Sequence, residues 1–174
     1  MKKKTFLGLT VLSSIALIAG IAVAARPTNE TVGVHDTLLI LGDFDGKHGS
    51  GGLDMVKKCM RRIKCKKVLY ILGNNDPWEI KDLVKAGGFL AVDANYTLRD
   101  GTREILLTHC AVPVKHNQYN IHGHQHGSHA YWNMDWHNHY DVWDENFKPV
   151  TIRQALESIE NGSYIRHSEI HDYR

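Results

Sequence analysis

Leu38-Leu39-Ile40-Leu41-Gly42-Asp43 is a run of four apolar residues closed by a glycine and a carboxylate. A short leucine-rich run bounded by turn residues reads as a buried strand that ends where the chain must turn. Three further runs end in the same way. Val68-Leu69-Tyr70-Ile71-Leu72 leads into Gly73-Asn74-Asn75-Asp76, Ile105-Leu106-Leu107-Thr108 into His109, and Tyr119-Asn120-Ile121-His122 into Gly123-His124-Gln125-His126. Side chains carried at strand ends, on loops held by a rigid sheet, are the usual site geometry of layered α/β proteins. Each of these ends offers an oxygen or an imidazole, so the repetition points to an enzyme-like metal centre.

One motif alone says little. A Gly-Asp after a strand is usually just a turn, and Gly-Asn-Asn-Asp is most often an Asx turn. In His124-Gln125-His126 the alternation of an extended segment puts both rings on one side, where they could serve two adjacent ions. Asp43 has two oxygens and so suits a bridging position; Asn74 offers a neutral amide oxygen and His109 a further imidazole. A two-metal phosphoester hydrolase needs such donors to hold two cations about 3.5–4 Å apart around a shared carboxylate and water.

The 174 residues allow one domain with a proper core. A hydrophobic content of 43% with 23% charged residues argues against disorder. The net charge of +2 rests on Lys2, Lys3 and Lys4 and selects no class of partner. Histidine is the anomaly: of 12 in the chain, His109, His116, His122, His124, His126, His129, His137 and His139 fall within one short stretch. Neutral imidazole is the commonest side-chain metal ligand. Cys59, Cys65 and Cys110 lack C-x-x-C spacing and imply neither a disulfide framework nor a zinc knuckle, although Cys59 and Cys65 could pair under oxidising conditions. Cys110 reads as a small buried residue beside His109.

The amino terminus has three readings. Lys2-Lys3-Lys4, an uncharged stretch from Thr5 to Ala25 and the small residues Ala22-Val23-Ala24 before Arg26 make an export signal. The same residues would also just span a bilayer as an uncleaved anchor, with residues 5–25 the membrane contact. In the third reading they are a strand plus helix buried within the domain. The first two divide the chain into residues 1–25, signal peptide or anchor, and a domain over 26–174, exported or membrane-anchored; without a working leader the protein is cytoplasmic.

Beyond the strands, Leu53 to Lys64 has helical spacing through Leu53, Val56, Met60 and Ile63, with its lysines and arginines on the other face. No aromatic residues interleave those charges, so they read as a solvated face rather than a nucleic-acid stripe. Pro77 to Ala86 suggests a second helix through Ile80, Leu83 and Val84, ended by Gly87-Gly88. Phe89 to Leu98 and Glu104 to Thr108 read as strands about an Arg99-Asp100-Gly101 turn, and Thr151 to Ile159 as a final amphipathic helix. Strands interspersed with helices indicate α/β layers.

The ordered set Leu41-Gly42-Asp43-Phe44, Leu72-Gly73-Asn74-Asn75-Asp76, Leu107-Thr108-His109 and Ile121-His122-Gly123-His124-Gln125-His126-Gly127 resembles the calcineurin-like metallophosphoesterases, above all their compact phage and bacterial members. Tyr140-Asp141-Val142 and Phe147-Lys148-Pro149-Val150 look like the closing strand and loop of that family, so the resemblance covers about residues 34 to 158. It implies a four-layer αββα sandwich of mixed sheets, with the first strand missing or replaced. It further implies a phosphoester hydrolase using one or two divalent ions (Mn, Zn or Fe), with nucleic acid entering only as a substrate. By carry-over, Asp43 bridges the metals, Asn74, His109 and His124 complete one site, and His126 belongs to the other. Asn75 and Asp76 fall on the catalytic part of the family's G-N-H-D/E motif.

Two departures qualify that expectation. No D-x-H motif precedes Asp43, so the second metal loses its remaining ligands, and the histidine that aids leaving-group protonation is replaced by Asn75. An amide cannot act as a general acid at neutral pH. The rival expectations are a non-catalytic protein that binds metal and phosphate, and an exported histidine-rich metal-binding protein.

Overall fold

In the computed structural model of the chain, alternation along Thr37–Leu41 sets the layering. Leu38 and Ile40 enter one buried cluster, and Leu39 and Leu41 enter another. Successive strand side chains point to opposite faces, so a strand apolar at every position must lie in a sheet covered on both sides. The structure describes residues 15–18, 32–43, 52–76, 78–124, 138–142 and 149–162.

The larger sheet holds β1 (Ile15–Ile18), β2 (Thr37–Leu41), β3 (Lys67–Ile71), β4 (Ala91–Asp93) and β9 (Val150–Thr151), in the order β4-β3-β2-β1-β9. The first four are parallel, and β9 is antiparallel to β1. The smaller sheet has the order β5-β6-β7-β8, from β5 (Asn95–Asp100), β6 (Arg103–Thr108), β7 (Gln118–His122) and β8 (His139–Asp141). β5 and β6 are antiparallel, and the other two pairs are parallel. Three helices complete the described fold: α1 (Gly52–Arg62), α2 (Ile80–Ala86) and α3 (Ile152–Glu160). The architecture is mixed α/β.

Between the sheets lie Leu39, Leu41 and Ile71 from one side and Tyr96, Ile105, Leu107, Ile121 and Tyr140 from the other, joined by Ile152, Ala155 and Leu156 of α3. On the opposite face of the larger sheet, Val68 and Tyr70 pack with Val56 and Cys59 of α1 and Leu83 of α2. Burying a large apolar side chain contributes about 1.5–3 kcal/mol, so these two clusters fix both sheets in place.

Several local expectations are corrected. The helix expected over Pro77–Ala86 starts at Ile80, and of its apolar residues only Leu83 is buried; Ile80 and Val84 are 43% and 58% exposed. Two turns of helix offer one inward position, so the remaining apolar spacing goes unused. The strand expected over Phe89–Leu98 is two strands in different sheets, broken at Ala94. The hairpin that follows turns at Gly101-Thr102, because Asp100 pairs with Arg103. Gly101 has φ +60° and Thr102 no positive φ, the pattern of a II′ turn. Before α3, Thr151 and Gln154 form a reciprocal capping box, which places Thr151 outside the helix and stabilises its start by about 1 kcal/mol. Cys59 and Cys65 are buried free thiols, and Cys65 donates to the Asp36 carbonyl.

The strand position beside β2, expected to be missing or replaced, is filled by residues 15–18 of the hydrophobic leader. The remaining leader residues, on which the signal and anchor readings rest, lie outside the described residues. No described helix is long and apolar enough to cross a membrane.

Candidate metal centre

β2, β3, β6 and β7 all deliver their carboxyl ends to one edge of the two-sheet core, and four of the expected ligands meet there. Gly42 leaves β2 with φ +78°, and a Cβ on it would come within 2.3 Å of His109 Nδ1 and 2.7 Å of the Gly73 Cα. A Cβ on Gly73 would in turn meet Asp43 Oδ1 at 2.1 Å. Only glycine lets the two loops and the imidazole approach this closely. Asp43 and His124 themselves have φ of +51° and +71°. Non-glycine residues in this region cost about 1–3 kcal/mol each and persist where the surroundings over-determine them, as at binding sites.

His109 is oriented through its Nδ1, which lies 2.8 Å from the Leu41 carbonyl oxygen. A carbonyl can only accept, so Nδ1 carries the hydrogen and Nε2 faces the site. Around Nε2 are Asn74 Oδ1 at 2.8 Å, His124 Nδ1 at 3.1 Å and Asp43 Oδ2 at 3.3 Å. The two imidazoles meet edge-on with centroids 4.8 Å apart. Asn74 Oδ1, His124 Nδ1 and Asp43 Oδ2 thus converge on the unprotonated Nε2 of a neutral His109.

Burial opposes charge on His109, but the Asp43 carboxylate and the bond to Leu41 outweigh it and raise the imidazole pKa. Burial likewise pushes the Asp43 carboxyl up, yet His109 and the donors of Asn75 hold it down to about 2. Tetrahedral bonds of about 2.0–2.1 Å would put ligands about 3.3 Å apart, comparable with the three separations from Nε2.

Asn75 and Asp76 do structural work in this arrangement. Asn75 donates to Asp43 from its backbone and from its side-chain amide, each at 3.0 Å. Asp76 Oδ2 accepts from the Tyr70 hydroxyl and the Gly73 N–H, each at 2.6 Å, and from the Asp43 N–H at 3.2 Å, tying the loop after β2 to the loop after β3. His126 lies outside the described residues. So do Asp45 and His48, whereas His35 is exposed at the opposite end of β2.

Sequence reasoning passed over two participants. Cys110 belongs with the site: ligand atoms of His109, Cys110 and His124 lie within 4.8 Å of one another and could hold a metal ion. Burial, reinforced by Asp43, pushes its thiol pKa up. Asn120, fully buried on β7, is the second. Its amide nitrogen donates to the Leu106 carbonyl at 3.0 Å and the Thr108 hydroxyl at 2.8 Å, and its oxygen accepts from Val112 N–H at 2.9 Å. Thr108 passes its own hydrogen to the Cys110 carbonyl at 2.6 Å, and Gly123 N–H donates to the His109 carbonyl at 3.0 Å. The bend at His109-Cys110 is thus clamped from beneath. Its signal was an Asn inside an otherwise apolar strand run.

No family model matches the chain, and no curated protein matches it either. Among solved structures it is similar to a protein of unknown function from Aquifex aeolicus, with a TM-score of 0.53 at 18% identity over 82% of this chain and 97% of that one. A likeness at that level of identity carries the fold and nothing about chemistry.

Proposed function

We propose that this chain is a calcineurin-like metallophosphoesterase of the four-layer sandwich type, a hydrolase of phosphomonoesters or phosphodiesters built around a single divalent ion. Asp43, Asn74, His109 and His124 are its ligands. The observation that supports this most is the convergence of polar atoms on His109 Nε2 at 2.8–3.3 Å. A divalent ion there neutralises phosphoryl oxygens and acidifies water.

The chain's own residues prepare that site. Leu41 holds the His109 tautomer, Asn75 fixes the Asp43 carboxylate, and Asp76 locks the two loops together. None supplies a general acid, a role that contributes about 10²–10⁴-fold where present. No D-x-H motif precedes Asp43 to supply the ligands of a second ion. Turnover is therefore slow.

A second reading, binding of a phosphate-bearing ligand without cleavage, is favoured by the commitment of Asn75 to Asp43. Metal counting on the purified chain and assays with p-nitrophenyl phosphate and bis-p-nitrophenyl phosphate in Mn²⁺ and Zn²⁺ separate the two. Metal-dependent release of nitrophenol supports the hydrolase; bound metal with no release supports the second reading; absence of metal binding removes both.

A further inference from the structure

The bend that carries His109 carries a thiol beside it, and the site's charge gives that thiol a role. A divalent ion held by Asn74, His109, His124 and Asp43 meets three neutral donors and one carboxylate. One positive charge then remains in a half-buried pocket, where uncompensated charge is costly. A Cys110 thiolate would bring the centre to neutrality. Its sulfur lies within 4.8 Å of nitrogen atoms of both imidazoles, and its backbone is held by the Thr108 hydroxyl at 2.6 Å.

We infer that Cys110 is a sulfur ligand of this centre and that the centre is accordingly a site for zinc-class ions rather than for Mn²⁺ or Mg²⁺. The inference rests on reading the His109–His124 cluster as a cation site. Thiolate and imidazole together favour Zn²⁺ and Co²⁺, whereas sites of carboxylate, carbonyl and water suit Mn²⁺ and Mg²⁺. On binding, the Cys110 S–H bond breaks, sulfur donates the electron pair to the ion, and the proton leaves to solvent.

Cobalt reports the two claims separately. Full-length protein titrated with Co²⁺ should develop visible d–d bands, which show an ion at the cluster, and near-ultraviolet thiolate-to-cobalt charge transfer, which shows sulfur ligation. Cys110→Ser should lose the charge-transfer band; Cys59→Ser and Cys65→Ser should keep it. The preference for Zn²⁺ over Mn²⁺ should fall at least about tenfold in Cys110→Ser. Visible bands without charge transfer in the wild type would overturn sulfur ligation and leave the cation site standing. No bands at all would overturn both. Should Cys110→Ser fail to fold, the wild type still decides: Zn²⁺ must protect Cys110 from alkylation, mapped by mass spectrometry, and unchanged labelling of metal-loaded protein overturns the inference.

Discussion

Asn75 spans the Asp43 carboxylate, its backbone N–H on Oδ1 and its side-chain amide on Oδ2, both at 3.0 Å. The position at which the resemblance expects a proton donor for the leaving group is used here to hold a carboxylate. Hydrogen bonds to charged groups contribute about 1.5–3 kcal/mol, so Asn75→Ala should lower unfolding stability by that amount in urea titrations at neutral pH. Asn75→His should leave phosphodiesterase activity within about twofold of wild type, because with a single ion the activation of water, not protonation of the leaving group, limits the rate. A rise of about tenfold or more would make the missing acid the main lesion instead.

His124 combines a ligand's position with a left-handed backbone. Removing its imidazole in His124→Ala should weaken metal binding at least about tenfold, read as metal content after dialysis. Equal metal content in variant and wild type would remove His124 from the ligand set. His124→Gly should lose metal equally but unfold later than His124→Ala in metal-free buffer, by about 1 kcal/mol, since glycine alone adopts φ +71° without strain.

His122 is fully buried, and burial pulls its pKa down to about 4 despite the bond from its Nδ1 to the Gly123 carbonyl. The unfolded chain then binds this proton more readily than the folded one. Its stabilising contribution is complete above pH 6.5 and is lost as the pH falls toward 4, about 3 kcal/mol in all. His109, whose pKa is raised, works in the opposite direction: its contribution is full below 6.5 and fades as the pH rises through its folded value. Urea unfolding at pH 7, 5 and 4 should show a steep acid loss in wild type and a shallower one in His122→Gln. Parallel pH profiles would refute the assignment to His122.

β1 lies between β2 and β9. Deleting residues 1–25 removes it and opens the backbone edges of both neighbours, and open edges promote association. The truncated chain should elute as aggregate on size exclusion and lack a cooperative thermal transition. A monomeric, cooperatively folding product would show the strand to be dispensable, as expected if the leader is cleaved near Ala25 or Arg26 in an exported protein.

Local pattern was enough to place β2, β3, β6 and β7, to find α1 and α3 and to order the polar residues at strand ends, because apolar runs and turn residues act over a few positions. It could not divide Phe89–Leu98, since alternation does not say which sheet a strand joins, and packing broke the run at Ala94. Nor could it distinguish Leu83 from Ile80 and Val84, which share a helical face but not a neighbour. The sequence alone determined the alternation of strands and helices and brought forward Asp43, Asn74, His109 and His124 as candidate residues. Their meeting around one atom, the turning of Asn75 onto Asp43 and the inclusion of Cys110 were decided by tertiary structure. Residues far apart in the chain come within 3.3 Å only when two sheets, two glycines and a buried Asn120 fix the directions of their side chains.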